Sequence, residues 1–228
     1  AQRLNEAVVR VLALKASLKL NEKVKFTDDN FVEIVGCCKH REQAKLCADQ
    51  AITLVKDTQH LLPVTPATHK RVWLHVLGDN PAFRGGSKCK EQVIARLEAE
   101  GFEVTCVEGA ERDRMFTEVP VKELKKRFDL ILYVANMVTG GNNTTNRLHY
   151  APRICGESPQ HVMDIPTMFV SLGDPYHFVD VPMIRTFINC YNHSPAVLDM
   201  LIEKITGRSV FQGVSPVDPF CGVWGASF

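Results

Sequence analysis

Leu130-Ile131-Leu132-Tyr133-Val134-Ala135 carries no charged residue and shows none of the polar–apolar alternation of a half-exposed strand. A strand of that composition must be covered on both faces. It therefore belongs inside a mainly parallel sheet with helices packed on either side. Val72-Trp73-Leu74-His75-Val76-Leu77 and Pro166-Thr167-Met168-Phe169-Val170-Ser171 also read as strands, and Thr186 to Tyr191 is a further strand candidate. Phe102 to Val107 alternates with polar residues, as a strand at the rim of a sheet would. Between these runs lie helical patterns. One has Val93, Ile94 and Leu97 on its inner side and stops at Gly101; a second covers Val119 to Arg127. A third segment reads as helical through about Val162. The last helix has Ser194 as N-cap, Pro195 in its first turn, Val197, Leu198, Leu201, Ile202 and Ile205 inward, and Gly207 after it. The fold class predicted is α/β: a three-layer α/β sandwich on a mainly parallel sheet, beginning near residue 51.

The first 50 residues have a different character. Leu4, Val8, Val11, Leu12 and Leu18 fall mainly on one helical face, a shorter helix follows Thr27-Asp28-Asp29, and another runs from about Arg41 to Ala51. With no strand among them, they read as a helical arm leading into the domain. The apolar face of that arm calls for a partner preceding it in the polypeptide.

Charge narrows the range of partners. The 27 Lys and Arg residues nearly cancel the 26 Asp and Glu, leaving a net charge of +1. That balance supplies no electrostatic excess for nucleic acid or an anionic membrane surface. No stretch of about 18 or more apolar residues is present to span a bilayer. The chain has eight cysteines. Cys106 and Cys190 sit in apolar contexts and read as small buried hydrophobes. Cys37-Cys38-Lys39-His40 with Cys47 is the only cluster worth weighing, but adjacent cysteines make poor paired zinc ligands and no second pair completes a site. No metal and no cofactor are expected, and reduced thiols favour a cytoplasmic location.

In such a sheet, ligands bind beyond the carboxyl ends of the strands. Gly78-Asp79-Asn80-Pro81 with Gly85-Gly86 could cradle an anion, but its spacing fits neither nucleotide-binding glycine motif, and a plain turn accounts for it. The loop Thr139 to Asn146, with Asn142 and Asn143 at its centre, is dense in amide and hydroxyl groups that could meet a sugar; such composition also suits a solvated loop. In Ser171-Leu172-Gly173-Asp174-Pro175-Tyr176-His177, Asp174 and His177 could pair for proton transfer. The competing reading is a turn in which Asp174 caps the next helix. No GxSxG elbow, no HExxH and no pair of well-placed carboxylates occurs.

Several stretches carry a resemblance. Ala48-Asp49-Gln50-Ala51-Ile52-Thr53-Leu54-Val55-Lys56-Asp57, followed by Leu61-Leu62-Pro63-Val64, resembles the segment opening the second domain of family 3 glycoside hydrolases. Val170 to Tyr176, Ala196 to Leu201 and Phe211-Gln212-Gly213-Val214-Ser215-Pro216-Val217 resemble the later part of that domain, in the spacing of the two-domain bacterial β-N-acetylglucosaminidases. Val8 to Lys15 is similar to the helix that leads out of the barrel domain.

The resemblance implies an α/β sandwich beside a TIM barrel, with the chemistry on the barrel. The nucleophilic aspartate and the K-H-F-P-G-H-G-type His–Asp motif of the family are absent here, and a barrel needs about 250 residues. No catalytic residue is carried over. The implied role is the noncatalytic C-terminal domain, residues 51–228 after an arm at 1–50, of a retaining enzyme that removes terminal β-linked N-acetylglucosamine. Its partner would be the N-terminal barrel of the same polypeptide, and Asn142, Asn143, Asp174, Tyr176 and His177 would border the substrate or the barrel. Two other readings remain open at this stage: a free-standing small-ligand module using Gly78 to Gly86, and an independent enzyme using Asp174 and His177.

Overall fold

The computed structural model describes residues 1–22, 31–78, 88–137, 147–148, 157–223 and 225–226. The chain divides into two units, Ala1–Arg41 and Glu42–Phe228. In the first, α1 spans Gln2–Ser17 and α2 spans Phe31–Ile34; α3, Cys38–Ala51, crosses from the first unit into the second. None of the α1 residues is buried, so Leu4, Val8, Val11 and Leu12 all lie exposed. The Thr27-Asp28-Asp29 cap lies outside the described residues. None of the described helices is long and apolar enough to cross a membrane.

The second unit is built on a six-stranded sheet: β1 Thr53–Asp57, β2 Arg71–Leu77, β3 Glu103–Thr105, β4 Leu130–Ala135, β5 Thr167–Ser171 and β6 Thr186–Asn189. Its spatial order is β1-β6-β5-β4-β2-β3. Every adjacent pair is parallel except β1 with β6, where Thr53 opposes Asn189 and Asp57 opposes Thr186. The all-buried β4 is interior, between β5 and β2, as its unbroken apolar run requires. The alternating β3 is an edge strand.

Because successive side chains point to opposite faces, each inner strand feeds two separate cores. Val72 and Leu74 of β2, Leu130, Leu132 and Val134 of β4, Met168 and Val170 of β5, and Ile188 of β6 share one core with α4, Cys89–Ala99, and α7, Pro195–Ile205. Trp73, Ile131, Tyr133, Phe169 and Phe187 face the other side. There they meet Leu124 of α6, Val121–Arg127, along with Phe178 of a 3-10 helix, His177–Asp180, and part of α5, Gly109–Glu118. The structure is therefore the expected three-layer α/β sandwich. Gly101, with φ at 92°, ends the α4 turn in the left-handed conformation that glycine adopts without cost.

Two local expectations change. Ser194 stands at the N-cap of α7 but makes no side-chain cap bond; its own N–H donates to Asn192 Oδ1 at 2.7 Å, so the asparagine organises that turn. Residues 157–162, the described end of the helix expected through Val162, form turns. Pro159 and the left-handed His161, φ 56°, are incompatible with continuing a helix there. In addition, α5 is a helix that hydrophobic periodicity does not reveal, since it buries none of its residues.

The segment after α7 returns across the α3–β1 junction. A Cβ added at Gly213 would lie 2.5 Å from the Ala51 carbonyl oxygen and 2.6 Å from that of Ile52. Both obstacles are backbone. Gly213→Ala is expected to lower stability by roughly 1–3 kcal/mol, as over-packing does, and a shift in the urea midpoint at unchanged m-value would register it.

Candidate functional site

The described cavity that best matches the expected location lies at the carboxyl end of β5. Its volume is about 160 Å³, and Arg147, Asp174, Tyr176, His177 and Asp180 are among the residues lining it. Strand β5 ends at Ser171, and the chain turns sharply at Gly173-Asp174-Pro175. The Tyr176 N–H donates to Asp174 Oδ1 at 2.8 Å, closing an Asx turn that sets the start of the 3-10 helix. The Asn189 side-chain amide, on neighbouring β6, donates to the Pro175 carbonyl at 3.1 Å and pins the other side of the turn.

His177 is 1% exposed, and its Nδ1 lies 2.7 Å from Ser171 Oγ. The Ser171 hydroxyl donates to the Asp174 carbonyl oxygen at 2.5 Å. With its single proton so used, the hydroxyl can only accept from His177, so Nδ1 carries a proton. The serine–imidazole contact resembles a nucleophile–base pair in distance alone. The Ser171 hydroxyl is engaged with backbone, and both residues are about 1% exposed. Asp174 thus organises the start of the Tyr176 turn, as the turn reading expects, and His177 Nδ1 is tied to Ser171.

Arg147 and Asp180 supply the charged pair of the cavity wall. Asp180, with a side chain only 4% exposed, accepts the Leu148 N–H at 3.2 Å and forms an ion pair with the 65% exposed Arg147. The Asp180 carboxylate raises the Arg147 pKa above its ordinary value, first through the hydrogen bond and then through charge attraction. The rim therefore presents a fixed guanidinium, the Asp174 carboxylate and the half-exposed ring of Tyr176. That combination suits a polyhydroxylated ligand: the ring can pack on a sugar face while the charged groups meet hydroxyls.

Asn142 and Asn143 lie outside the described residues, as does the Gly78 to Gly86 stretch after Gly78. A side chain at Gly78 itself, φ 73°, would collide with Met137 Cγ at 2.3 Å, so this glycine serves a close packing approach. Of the cysteine cluster, Cys38 Sγ takes a hydrogen bond from Arg41 Nη2 at 3.4 Å and Cys47 Sγ one from Gln43 Nε2 at 3.7 Å. Among the described residues, no group of three or more His, Cys, Asp or Glu is placed to hold a metal ion. Sequence reasoning did not find Arg147 and Asp180; they come together across 33 positions, and no local pattern links them.

No protein-family profile matches the chain. It is 38% identical over 227 residues to a protein of Cellulomonas fimi named beta-N-acetylglucosaminidase/beta-glucosidase, an alignment covering 98% of this chain and 40% of that protein. The solved structure of a beta-glucoside phosphorylase, BglX, superposes with a TM-score of 0.79 at 40% identity, over 99% of this chain and 40% of the other. A family 3 beta-N-acetylglucosaminidase from Paenibacillus sp. str. FPU-7 superposes at 0.63 with 17% identity, over 98% and 40% of the two chains, which speaks to the fold. The chain thus spans about two-fifths of the length of these relatives.

Proposed function

We propose that this chain is the C-terminal domain of a family 3 glycoside hydrolase and the noncatalytic partner of a barrel domain lying earlier in the same polypeptide, a reading supported by its likeness in sequence and fold to relatives of which it spans about two-fifths. Residues 1–50 act as the connecting arm and 51–228 as the sandwich. The parent enzyme is cytoplasmic and removes terminal β-linked N-acetylglucosamine with retention, through a glycosyl–enzyme intermediate. The observation carrying this reading is the 38% identity to a relative whose name joins N-acetylglucosaminidase with glucosidase.

We further assign the Asp174–Tyr176 turn and Arg147 to the border of the substrate entrance. In the full-length polypeptide, the double substitution Asp174→Ala, Tyr176→Ala is expected to lower kcat/KM on an aryl β-N-acetylglucosaminide roughly tenfold, mostly through KM. The 228-residue chain alone is expected to give no turnover. Turnover by the isolated chain, lost on replacing Asp174 or His177, would instead establish it as an enzyme in its own right.

The likeness to a solved phosphorylase favours a second reading, in which phosphate replaces water as the acceptor for the glycosyl intermediate. Assays with and without inorganic phosphate separate the two. Accumulation of a sugar 1-phosphate marks phosphorolysis, and free sugar at an unchanged rate marks hydrolysis.

A further inference from the structure

On the face of the sheet away from α4 and α7, a histidine sits where an aromatic hydrocarbon would be expected. His75, in the middle of β2, is 4% exposed. Its ring stacks on Tyr133 of β4 at 4.7 Å between centroids and on Phe116 of α5 at 5.3 Å, with Trp73 tilted against it at 4.8 Å. His75 Nε2 and Trp73 Nε1 are both buried without a hydrogen-bond partner. An imidazole packed among these rings, with Nε2 unpartnered, is poorly placed to carry a positive charge. Burial, reinforced by the Arg112 cation on α5, lowers its pKa from 6.5 to about 3.

The helix roofing this ring is weakly held. None of the α5 residues is buried, and its apolar attachment is through the partly buried Met115 and Phe116. The same helix brings Arg112, ion-paired with Asp113 at 2.9 Å, towards the imidazole. A proton gained by His75 would therefore face two penalties, a desolvated charge and a like-charged neighbour, and lifting α5 relieves both.

We propose that α5 is an acid-released flap latched by the His75 ring. The groups facing that ring are Trp73 on its own strand, Tyr133 on β4, and Phe116 with the Arg112–Asp113 pair on α5. His161 lies beyond Phe116, at 5.9 Å between ring centroids, on the 157–165 segment. The sign follows from linkage: the closed state binds the proton more weakly than the open one. Closure is therefore at full strength above about pH 6.5 and weakens as pH falls toward about 3. Across that window, the open population of α5 rises about tenfold per pH unit.

Amide hydrogen exchange on the full chain, corrected for intrinsic rates, tests this at pH 7 and 4.5. Protection in α5 is expected to fall by roughly 100-fold, while that in α7 changes by less than about threefold. His75→Phe keeps the stack and removes the titration, so α5 protection should become independent of pH. His161→Gln should leave the response intact. The proposal is overturned if wild-type α5 is equally protected at both pH values, if it is already unprotected at pH 7, or if the response persists in His75→Phe or vanishes in His161→Gln. Should His75→Phe fail to fold, the His75 ring proton resonances in the wild-type chain decide: a titration midpoint near 6.5 overturns the latch, and one below about 4 supports it.

Discussion

Replacing Asp49 with alanine is expected to lower the unfolding free energy by about 3 kcal/mol, although Asp49 sits on a helix and is itself partly exposed. The reason lies with its partner. The Lys204 side chain is fully buried, and its ammonium group places hydrogen bonds on Asp49 Oδ1 at 2.9 Å, Ser209 Oγ at 3.2 Å and the Val210 carbonyl at 2.7 Å. The Ser209 hydroxyl and the Lys204 ammonium in turn hold the Asp49 pKa below its usual value. Removing the carboxylate strands a buried cation; removing the cation leaves a carboxylate that water can reach. Lys204→Met should therefore cost about 1 kcal/mol or less, and the double variant should recover most of the Asp49→Ala loss. Urea unfolding of the three proteins measures the asymmetry. Equal losses in the two single variants would show that the network acts through packing rather than charge.

Phe187→Ala should be more damaging, at roughly 3–5 kcal/mol, which corresponds to a fall in Tm on the order of 10 °C for a domain of this size. Phe187 is fully buried on β6, stacked on Phe169 at 5.2 Å and met edge-on by Phe178 at 5.1 Å. Phe178 belongs to the 3-10 helix that begins at His177, so the cavity left by this substitution lies directly beneath the candidate site. Val214→Ala, at a residue 87% exposed, is the matched control and should change stability by no more than about 0.5 kcal/mol. Thermal unfolding followed by circular dichroism distinguishes the two.

The fold was legible in the sequence wherever burial imposes a pattern. The unbroken apolar run of Leu130 to Ala135 marked β4 as an inner strand, and the alternation of Phe102 to Val107 marked β3 as an exposed or edge strand. The inward face of α7 emerged from helical spacing alone, with Val197, Leu198, Leu201, Ile202 and Ile205 all largely buried. Where packing leaves no imprint, the sequence was silent. The exposed helix α5 has no apolar periodicity to read, and the turn chemistry of Pro159 and His161 overrides the helical reading through Val162. At the candidate site, Asp174, Tyr176 and His177 were visible because a polar cluster follows an apolar strand. Their division of labour was not, because it depends on the Ser171 hydroxyl, which nothing in the continuously buried β5 gives reason to single out. Arg147 with Asp180, and Lys204 with Asp49, are pairs made by the topology, joining residues far apart in the chain.

The antiparallel pairing of β1 with β6 also has a consequence for the order of assembly. Thr53 to Asp57 must wait for Thr186 to Asn189, roughly 130 residues later, which at about 5–20 residues per second is on the order of ten seconds of synthesis. Throughout that interval, the inner strands can begin to associate while β1 remains an unpaired ribbon tethered to a growing chain. The strand made first closes the sheet last, and a nascent polypeptide stalled before Thr186 is expected to present that ribbon to chaperones.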